Sequence, residues 1–350
     1  MVTIAIIGAG WYGCHIAASL QALGFKVDVF EASNQVLDAA SGNNQFRLHL
    51  GFHYPRHHGT RIRSRDGFQR FIERYPSLST EVQNNLYAVP KRDSLIDFVT
   101  YRLIMTSSGV DFTEAVPLPD WAEHLEGCLQ TAERVLETER ARKYFTKRLA
   151  SALHLGHRVQ RVEEAGQHMR VDGKLYDLVI DATWGHFYPL PFDMFFEPTL
   201  LLYYRTSDKF PALTLIDGPL CSIYPTETSG LYTLSSVPFT PIAQVKTSAE
   251  AVAILQSVSE ELIAKKRIQM EDQISRYVPN FRDIFEYVGP QFSIKTKHVG
   301  MNENRSCSVH RQGRLFSVMS GKIDTIFFAV ERILFSIETE FDASFFEPRA

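Results

Sequence analysis

Apolar positions along the chain fall into runs, stripes and alternations that predict an α/β protein. Residues 2–7 form a short run that is apolar on both faces, as expected of a central parallel strand covered by helices. Ala17, Leu20 and Leu23 then recur at helical spacing, Gly24 ends that helix, and Lys26–Phe30 supplies a second strand. Further along, 138–155 reads as a helix, a strand lies near Val159 and Val162, and 176–185 reads as a buried strand ending in a small-residue turn. Close to the C-terminus Leu315–Met319 is another strand, followed by a helix that carries Ile326, Val330, Ile333 and Ile337 on one face.

The remaining segments have a different character. Short strands at 201–206, 212–216, 220–226 and 231–237 alternate with the turns Asp217-Gly218-Pro219 and Glu227-Thr228-Ser229-Gly230, which predicts an antiparallel meander. Ser248 caps a helix running to about Arg267, and the 60–130 region adds helices, one of them over 94–105. Between Asn43 and Tyr54 the pattern has a period of two. Phe46, Leu48, Leu50, Phe52 and Tyr54 point one way, and Arg47, His49, Gly51 and His53 point the other. A guanidinium, two imidazoles and a glycine on one face suit a cavity wall better than an ordinary surface. The aromatic and proline-rich stretch from Trp184 to Pro191 reads as a stiff crossing between domains.

Composition narrows the function classes without choosing among them. The chain has 350 residues, enough for two cores, and its net charge of -3 offers no field that would draw it to nucleic acid or an anionic membrane. Arg61, Arg63, Arg65, Arg70 and Arg74 are concentrated in one segment, where Ile62, Phe68, Phe71 and Ile72 suggest a helix with one buried stripe. A solvated face is the expected place for those arginines, with an anionic substrate tail as the alternative. Cys14, Cys128, Cys221 and Cys307 are too scattered for a metal site or a disulfide framework. The apolar opening lacks a basic leader and leads straight into Gly8, so it reads as a strand, and the cytoplasm is the expected compartment.

The first forty residues carry the clearest chemistry. Gly8-Ala9-Gly10-Trp11-Tyr12-Gly13 has G-x-G-x-x-G spacing. The first glycine permits a tight turn, the second lets phosphates approach the backbone, and the third lets the helix pack on the strand. The free N–H groups and positive dipole end of that helix then face a pyrophosphate. Glu31 closes the second strand, where a carboxylate accepts hydrogen bonds from ribose hydroxyls and repels a 2′-phosphate. Gly8, Gly10, Trp11, Tyr12, Gly13, Glu31 and Ala32 are therefore expected against a dinucleotide.

Together with Ala182-Thr183-Trp184-Gly185 and Met319-Ser320-Gly321-Lys322, this βαβ opening resembles the D-amino-acid oxidase and glycine oxidase superfamily of flavoproteins, over most of the chain. The resemblance implies a glutathione-reductase-type, Rossmann-like FAD domain and a second α+β domain dominated by an antiparallel sheet. The FAD domain would take residues 1–58, 130–190 and 300–350, and the substrate domain 59–129 and 191–299. It implies FAD as cofactor, with contacts also from Asn43, Asn44, Gln45, Val159, Thr183, Trp184, Gly185, Gly321, Lys322 and Ile323. Family members place a polar segment beside the isoalloxazine ring, which makes His49, His53 and Arg47, with Lys322, the catalytic candidates. Around His49 the wording is also similar to L-2-hydroxyglutarate dehydrogenases.

Tyr224, Lys295 and Lys297 fall where the resemblance implies substrate contacts. Here the chain departs from the family. Members that take amino acids present an arginine in a Gly-x-Arg-Pro context, whereas Phe292 to His298 carries lysines and no proline. A lysine supplies a point charge without a planar fork, and Arg47, Arg305 or Arg311 could take over. The implied activity is oxidation of a C–N bond in a small amine or amino-acid-like substrate by hydride transfer to FAD. A 2-hydroxy acid (C–O) dehydrogenase or oxidase, and a flavoprotein with non-oxidase chemistry, remain the alternatives. The only partner implied is a small-molecule substrate, with no metal, nucleic acid or membrane, and the oligomeric state is left open.

Overall fold

The computed structural model describes residues 1–207, 209–300 and 305–340, so positions 301–304 and 341–350 of the expected FAD domain lie outside the described residues. The chain divides into two units. The first comprises Met1–Gly42, Thr138–Met194 and the described residues from Arg305 onward; the second comprises Asn43–Glu137 and the described residues from Phe195 to 300. Residues 43–58 and 130–137 thus belong with the second unit, not with the cofactor segments to which the sequence reading attached them.

In the first unit Thr3–Ile7 is central to a six-stranded sheet. Lys26–Phe30 and then Leu153–His154 lie on one side of it, and Leu178–Asp181 and Leu315–Met319 on the other, all parallel, with Ser308–Gln312 antiparallel at the edge. The N-terminal run is buried on both faces because helices cover a parallel sheet. Trp11–Ala22 is the first helix, and Ile326–Glu340 follows a short 3-10 turn at Ile323–Thr325. The helix expected over 138–155 stops at Arg148, since the chain must turn to add the strand Leu153–His154. Val162–Ala165 opens a three-stranded antiparallel sheet with His168–Val171 and Lys174–Tyr176 that the sequence pattern did not reveal. Asp28 ties that sheet to the main one, accepting hydrogen bonds from Lys174 Nζ at 2.6 Å and the Tyr176 hydroxyl at 2.7 Å.

The second unit is built on an eight-stranded sheet. Its order is Glu286–His298, Met194–Arg205, Leu231–Ser236, Cys221–Pro225, Ala212–Leu215, Asn85–Pro90, Leu125–Thr131 and Phe112–Glu114. The expected meander is corrected by this order. Met194–Arg205 pairs with Leu231–Ser236 rather than with its successor Ala212–Leu215, which instead lies parallel to Asn85–Pro90. Turn residues announce where strands end; which strands then meet is decided by burial of the sheet. One face carries Leu86, Leu202, Leu213, Ile223 and Leu234, packed with Met270 and Ile274 of the helix Glu260–Ser275. That helix is separate from Ser248–Gln256, because Ser259 begins a new N-cap where one continuous helix was expected.

Two further expectations change. The 43–54 segment is not an extended strand: only Arg47–Leu48 pairs, and the left-handed Phe46 and Gly51 break the alternation. The cause is that buried residues fall on both sides of the alternation, Arg47, His49 and Gly51 as well as Phe46, Leu48, Phe52 and Tyr54, which removes the in-out distinction that a period of two reports. Gly51 admits the carbonyl of Arg61 rather than a ligand, since a Cβ there would stand 2.9 Å from that oxygen. Arg61 itself is buried on the helix His58–Arg74, not solvated. Its Nε donates to Ser108 Oγ at 2.8 Å and its Nη1 to the Pro55 carbonyl, so this guanidinium staples the helix to neighbouring chain.

Candidate functional site

The glycine loop of the first unit has the form a diphosphate requires. Gly13 faces the carbonyl of Gly8 so closely that a Cβ would sit 1.9 Å from the oxygen, which presses the start of the helix onto the first strand. Gly10 is the N-cap of Trp11–Ala22 and gives it no side-chain cap. Its missing Cβ is the space beside Ser41 Oγ, which takes the Trp11 N–H at 3.1 Å. Glu31 is locked across the loop, its carboxylate accepting the N–H of Ala9 at 2.7 Å and of Ser33 at 2.9 Å. A fixed carboxylate beside a helix N-terminus whose N-cap is glycine matches a ribose followed by a pyrophosphate, so the residues present fit an adenine dinucleotide.

Several residues expected against the cofactor are committed to contacts within the chain. The Trp11 side chain is buried edge-on to Phe145, ring centroids 5.8 Å apart. The buried Tyr12 hydroxyl donates to the Lys322 carbonyl at 2.9 Å, accepts the Gly321 N–H at 2.9 Å and lies 2.7 Å from Thr325 Oγ1. That hydroxyl fastens the returning C-terminal segment to the first helix, and burial pushes its pKa well above the ordinary tyrosine value. Gly321 is required by packing, since a Cβ would meet the Arg305 carbonyl at 2.3 Å. Lys322 caps the 3-10 turn that begins at Ile323, and Val159 lies in the core with Ile7 and Phe30. Ala32 is exposed just after Glu31. Asp181 shapes the Thr183-Trp184-Gly185 turn: its buried carboxylate takes the Thr183 N–H and hydroxyl and the Tyr188 N–H, while Trp184 sits at φ +62°. For a residue with a Cβ that conformation costs about 1–2 kcal/mol.

The second unit holds a polar side-chain cluster of its own. On the face of the sheet opposite its core, strand register aligns Tyr203 with Thr233, Thr233 with Tyr224, Ser235 with Ser222, Ser222 with Thr214, and Thr214 with Tyr87. The 43–49 segment lies on this polar row. Gln45 reaches the carbonyls of Ser222 and Thr233, and accepts from Ser222 Oγ at 3.1 Å. Arg47, 5% exposed, places its guanidinium 4.1 Å above the Tyr224 ring and donates from Nη1 to Thr214 Oγ1 at 2.6 Å. Its Nε and Nη2 are buried with no hydrogen-bond partner among the described residues. Leaving such donors unmet costs about 1–3 kcal/mol each, so the arrangement is that of a site prepared for an acceptor.

Glu133 balances this charge. Fully buried, it accepts the Tyr87 hydroxyl at 2.6 Å and the Leu50 N–H at 2.7 Å, and its Oε1 lies 3.8 Å from His49 Nδ1, an ion-pair distance. Burial alone would raise its pKa, but the neighbouring His49 and the donors from Tyr87 and Leu50 outweigh it and hold the carboxyl below the usual range. The Tyr87 hydroxyl is driven well above its ordinary pKa, by burial first and then by the Glu133 charge, with Arg47 acting in the opposite sense. His49 and His53 stand 5.7 Å apart, ring centroid to centroid. The structure therefore brings Arg47, His49, His53 and Tyr224 into one neighbourhood. Lys297 is committed elsewhere, 2.6 Å from buried Glu197, and Lys295 lies half-buried on the same strand. Arg311 donates to the Gly313 carbonyl in the first unit. Sequence reasoning missed Glu133, Tyr87, Thr214 and Gln291, whose partners lie far away along the chain.

Replacing Glu133 by Gln is expected to lower stability by about 3 kcal/mol, because it removes the buried charge on which the Tyr87 hydroxyl and the Leu50 N–H converge. Chemical denaturation of the flavin-loaded protein checks this. The folded pKa of Glu133 lies below its unfolded value, so its contribution is complete above about pH 4.3 and fades as the pH falls through the folded value. The gap between wild type and variant should close in that acidic window, and a gap independent of pH would exclude the charge as its source.

Comparison with known proteins agrees with this geometry. Residues 3–290 match the family described as FAD dependent oxidoreductase, DAO. The chain is 55% identical over 338 residues to the FAD-dependent monooxygenase FPY4 of Fusarium mangiferae, covering 97% of this chain and 92% of that one. In fold it is similar to glycine oxidase from Geobacillus kaustophilus, with a TM-score of 0.71 at 15% identity and complete coverage of both chains. It is similar also to NikD, an unusual amino acid oxidase essential for nikkomycin biosynthesis, with a TM-score of 0.68 at 12% identity over all of this chain and 98% of the other. No helix among the described residues is long and apolar enough to cross a membrane. With its glycine loop, the Glu31 carboxylate fixed across it and its returning C-terminal segment, the chain belongs to the DAO family of FAD-dependent oxidoreductases.

Proposed function

We propose that this oxidoreductase oxidises a C–N bond in a small amine or amino-acid-like substrate whose carboxylate is held by Arg47. The observation that carries this reading is the buried guanidinium of Arg47, stacked on Tyr224 and oriented by Thr214, with two donors left over. Two N–H groups in one plane pair with the two oxygens of a carboxylate. FAD, bound by the first unit through the Gly8–Gly13 loop and Glu31, supplies the two-electron acceptor for the donor C–H bond.

The chain's own residues supply binding and proton handling. Arg47 orients the acid, and Glu133 keeps the imidazole of His49 beside a permanent negative charge. His49 and His53 are the candidates to hold or take the amine proton. Glycine oxidase and NikD, whose names state action on amino acids, support a C–N bond. A second reading, oxygen insertion, is supported by the name of FPY4. Anaerobic mixing with amines, amino acids and 2-hydroxy acids separates the possibilities. Bleaching of the flavin by an amine and not by a hydroxy acid is expected. Bleaching by hydroxy acids alone would replace C–N with C–O, and a flavin that no member bleaches, together with label from ¹⁸O₂ in the product when an external reductant is added, would favour the monooxygenase.

A further inference from the structure

Gln291 lies on Glu286–His298, the edge strand of the eight-stranded sheet, and is 3% exposed. Its Nε2 donates to the Asn44 carbonyl at 3.1 Å and to the Tyr203 hydroxyl at 2.6 Å. A carbonyl can only accept, so the contact with Asn44 fixes which end of the amide is nitrogen. Oε1 is then the other end, buried and with no hydrogen-bond partner among the described residues. Tyr203 registers with Thr233, and Thr233 with Tyr224, the ring beneath Arg47. Tyr203 and Tyr224 are therefore two strands apart, roughly 10 Å.

The same polar face thus offers two guanidinium donors at one point and an amide acceptor at another, with Gln45 and the hydroxyls of Thr233 and Ser222 between them. A simple α-amino acid, whose amine and carboxylate sit on adjacent atoms of one short unit, engages only the Arg47 end. Both ends are satisfied at once by a longer molecule.

We propose that Gln291 is a second recognition point, and that the substrate is an elongated carboxylate with an N–H or O–H donor at the end remote from the acid. This rests on the reading of Arg47 as the carboxylate anchor. Gln291 Oε1 accepts the distal donor, so the residue sets substrate length and end-group chemistry and takes no part in the redox step.

Calorimetric titration of the flavin-loaded protein with a homologous series of ω-hydroxycarboxylates, each paired with its methyl-terminated counterpart, tests the proposal. The wild type is expected to favour the hydroxyl member roughly tenfold, and only over a narrow range of chain length in the series. Gln291→Leu should erase that preference and leave the affinity for short carboxylates unchanged. Absence of a span-dependent preference in the wild type overturns the proposal without any variant, and so does a preference that survives Gln291→Leu. Arg47→Met separates the two readings. If it weakens every carboxylate while no length preference exists, the anchor stands and Gln291 falls; if it changes no affinity, the anchor itself is wrong.

Discussion

Gly13→Ala should yield a protein that is purified without flavin and takes up added FAD at least about 100-fold more weakly, a loss of roughly 3 kcal/mol. The expectation is steric. The new Cβ would lie 1.9 Å from the Gly8 carbonyl oxygen, and the methyl of Ala182 at 3.5 Å blocks the sideways escape. The helix Trp11–Ala22 must lift from the first strand, and its N-terminus then no longer faces a diphosphate across the loop. Overpacking of this kind also costs about 1–3 kcal/mol in stability, so a lowered melting temperature should accompany the loss of colour. The visible spectrum of the purified variant and a fluorescence titration with FAD are the measurements. A yellow protein with full flavin content would mean that this loop is not the cofactor cradle.

Arg47→Met should leave FAD in place and lower the rate of flavin reduction per substrate concentration by roughly 10²–10³. Arg47 belongs to the second unit and touches Thr214 and Tyr224, not the glycine loop. Its removal takes away the only buried guanidinium on the polar sheet face among the described residues, and with it the fork that would hold an acid. Arg47→Lys should recover little, because an ammonium cannot stack on Tyr224 and pair two oxygens at once. Stopped-flow reduction with the most active compound of the anaerobic panel measures both. Wild-type reduction rates in Arg47→Met would remove the carboxylate anchor from the proposed function.

Much of the first unit could be read directly from residue order. Gly8, Gly10, Gly13 and Glu31 are bound to one another through a strand, a turn and a helix whose periods are local, so spacing alone shows the dinucleotide loop. The same spacing could not show that the Tyr12 hydroxyl closes on Gly321 and Lys322, some three hundred residues away in sequence. In the second unit, segment 43–54 was recognised as unusual by its basic and aromatic residues, yet its conformation was misread. A period of two means strand only where one face is wet, and here Arg47, His49 and Gly51 are buried just as Phe46, Leu48, Phe52 and Tyr54 are.

Residue order by itself determined the class of fold, the family and the cofactor, because glycine spacing, helix starts and β-rich runs act within a few residues of one another. Tertiary structure alone decided the substrate face. Thr214, Tyr87, Tyr224 and Tyr203 come onto one face with Arg47 only through the register of strands separated by long stretches of chain. A polar side chain in a wholly buried strand carries no local mark of the partner it will meet. Pairing of distant strands sets that partner, and the cost of burying a charge unpaired is what holds the set together.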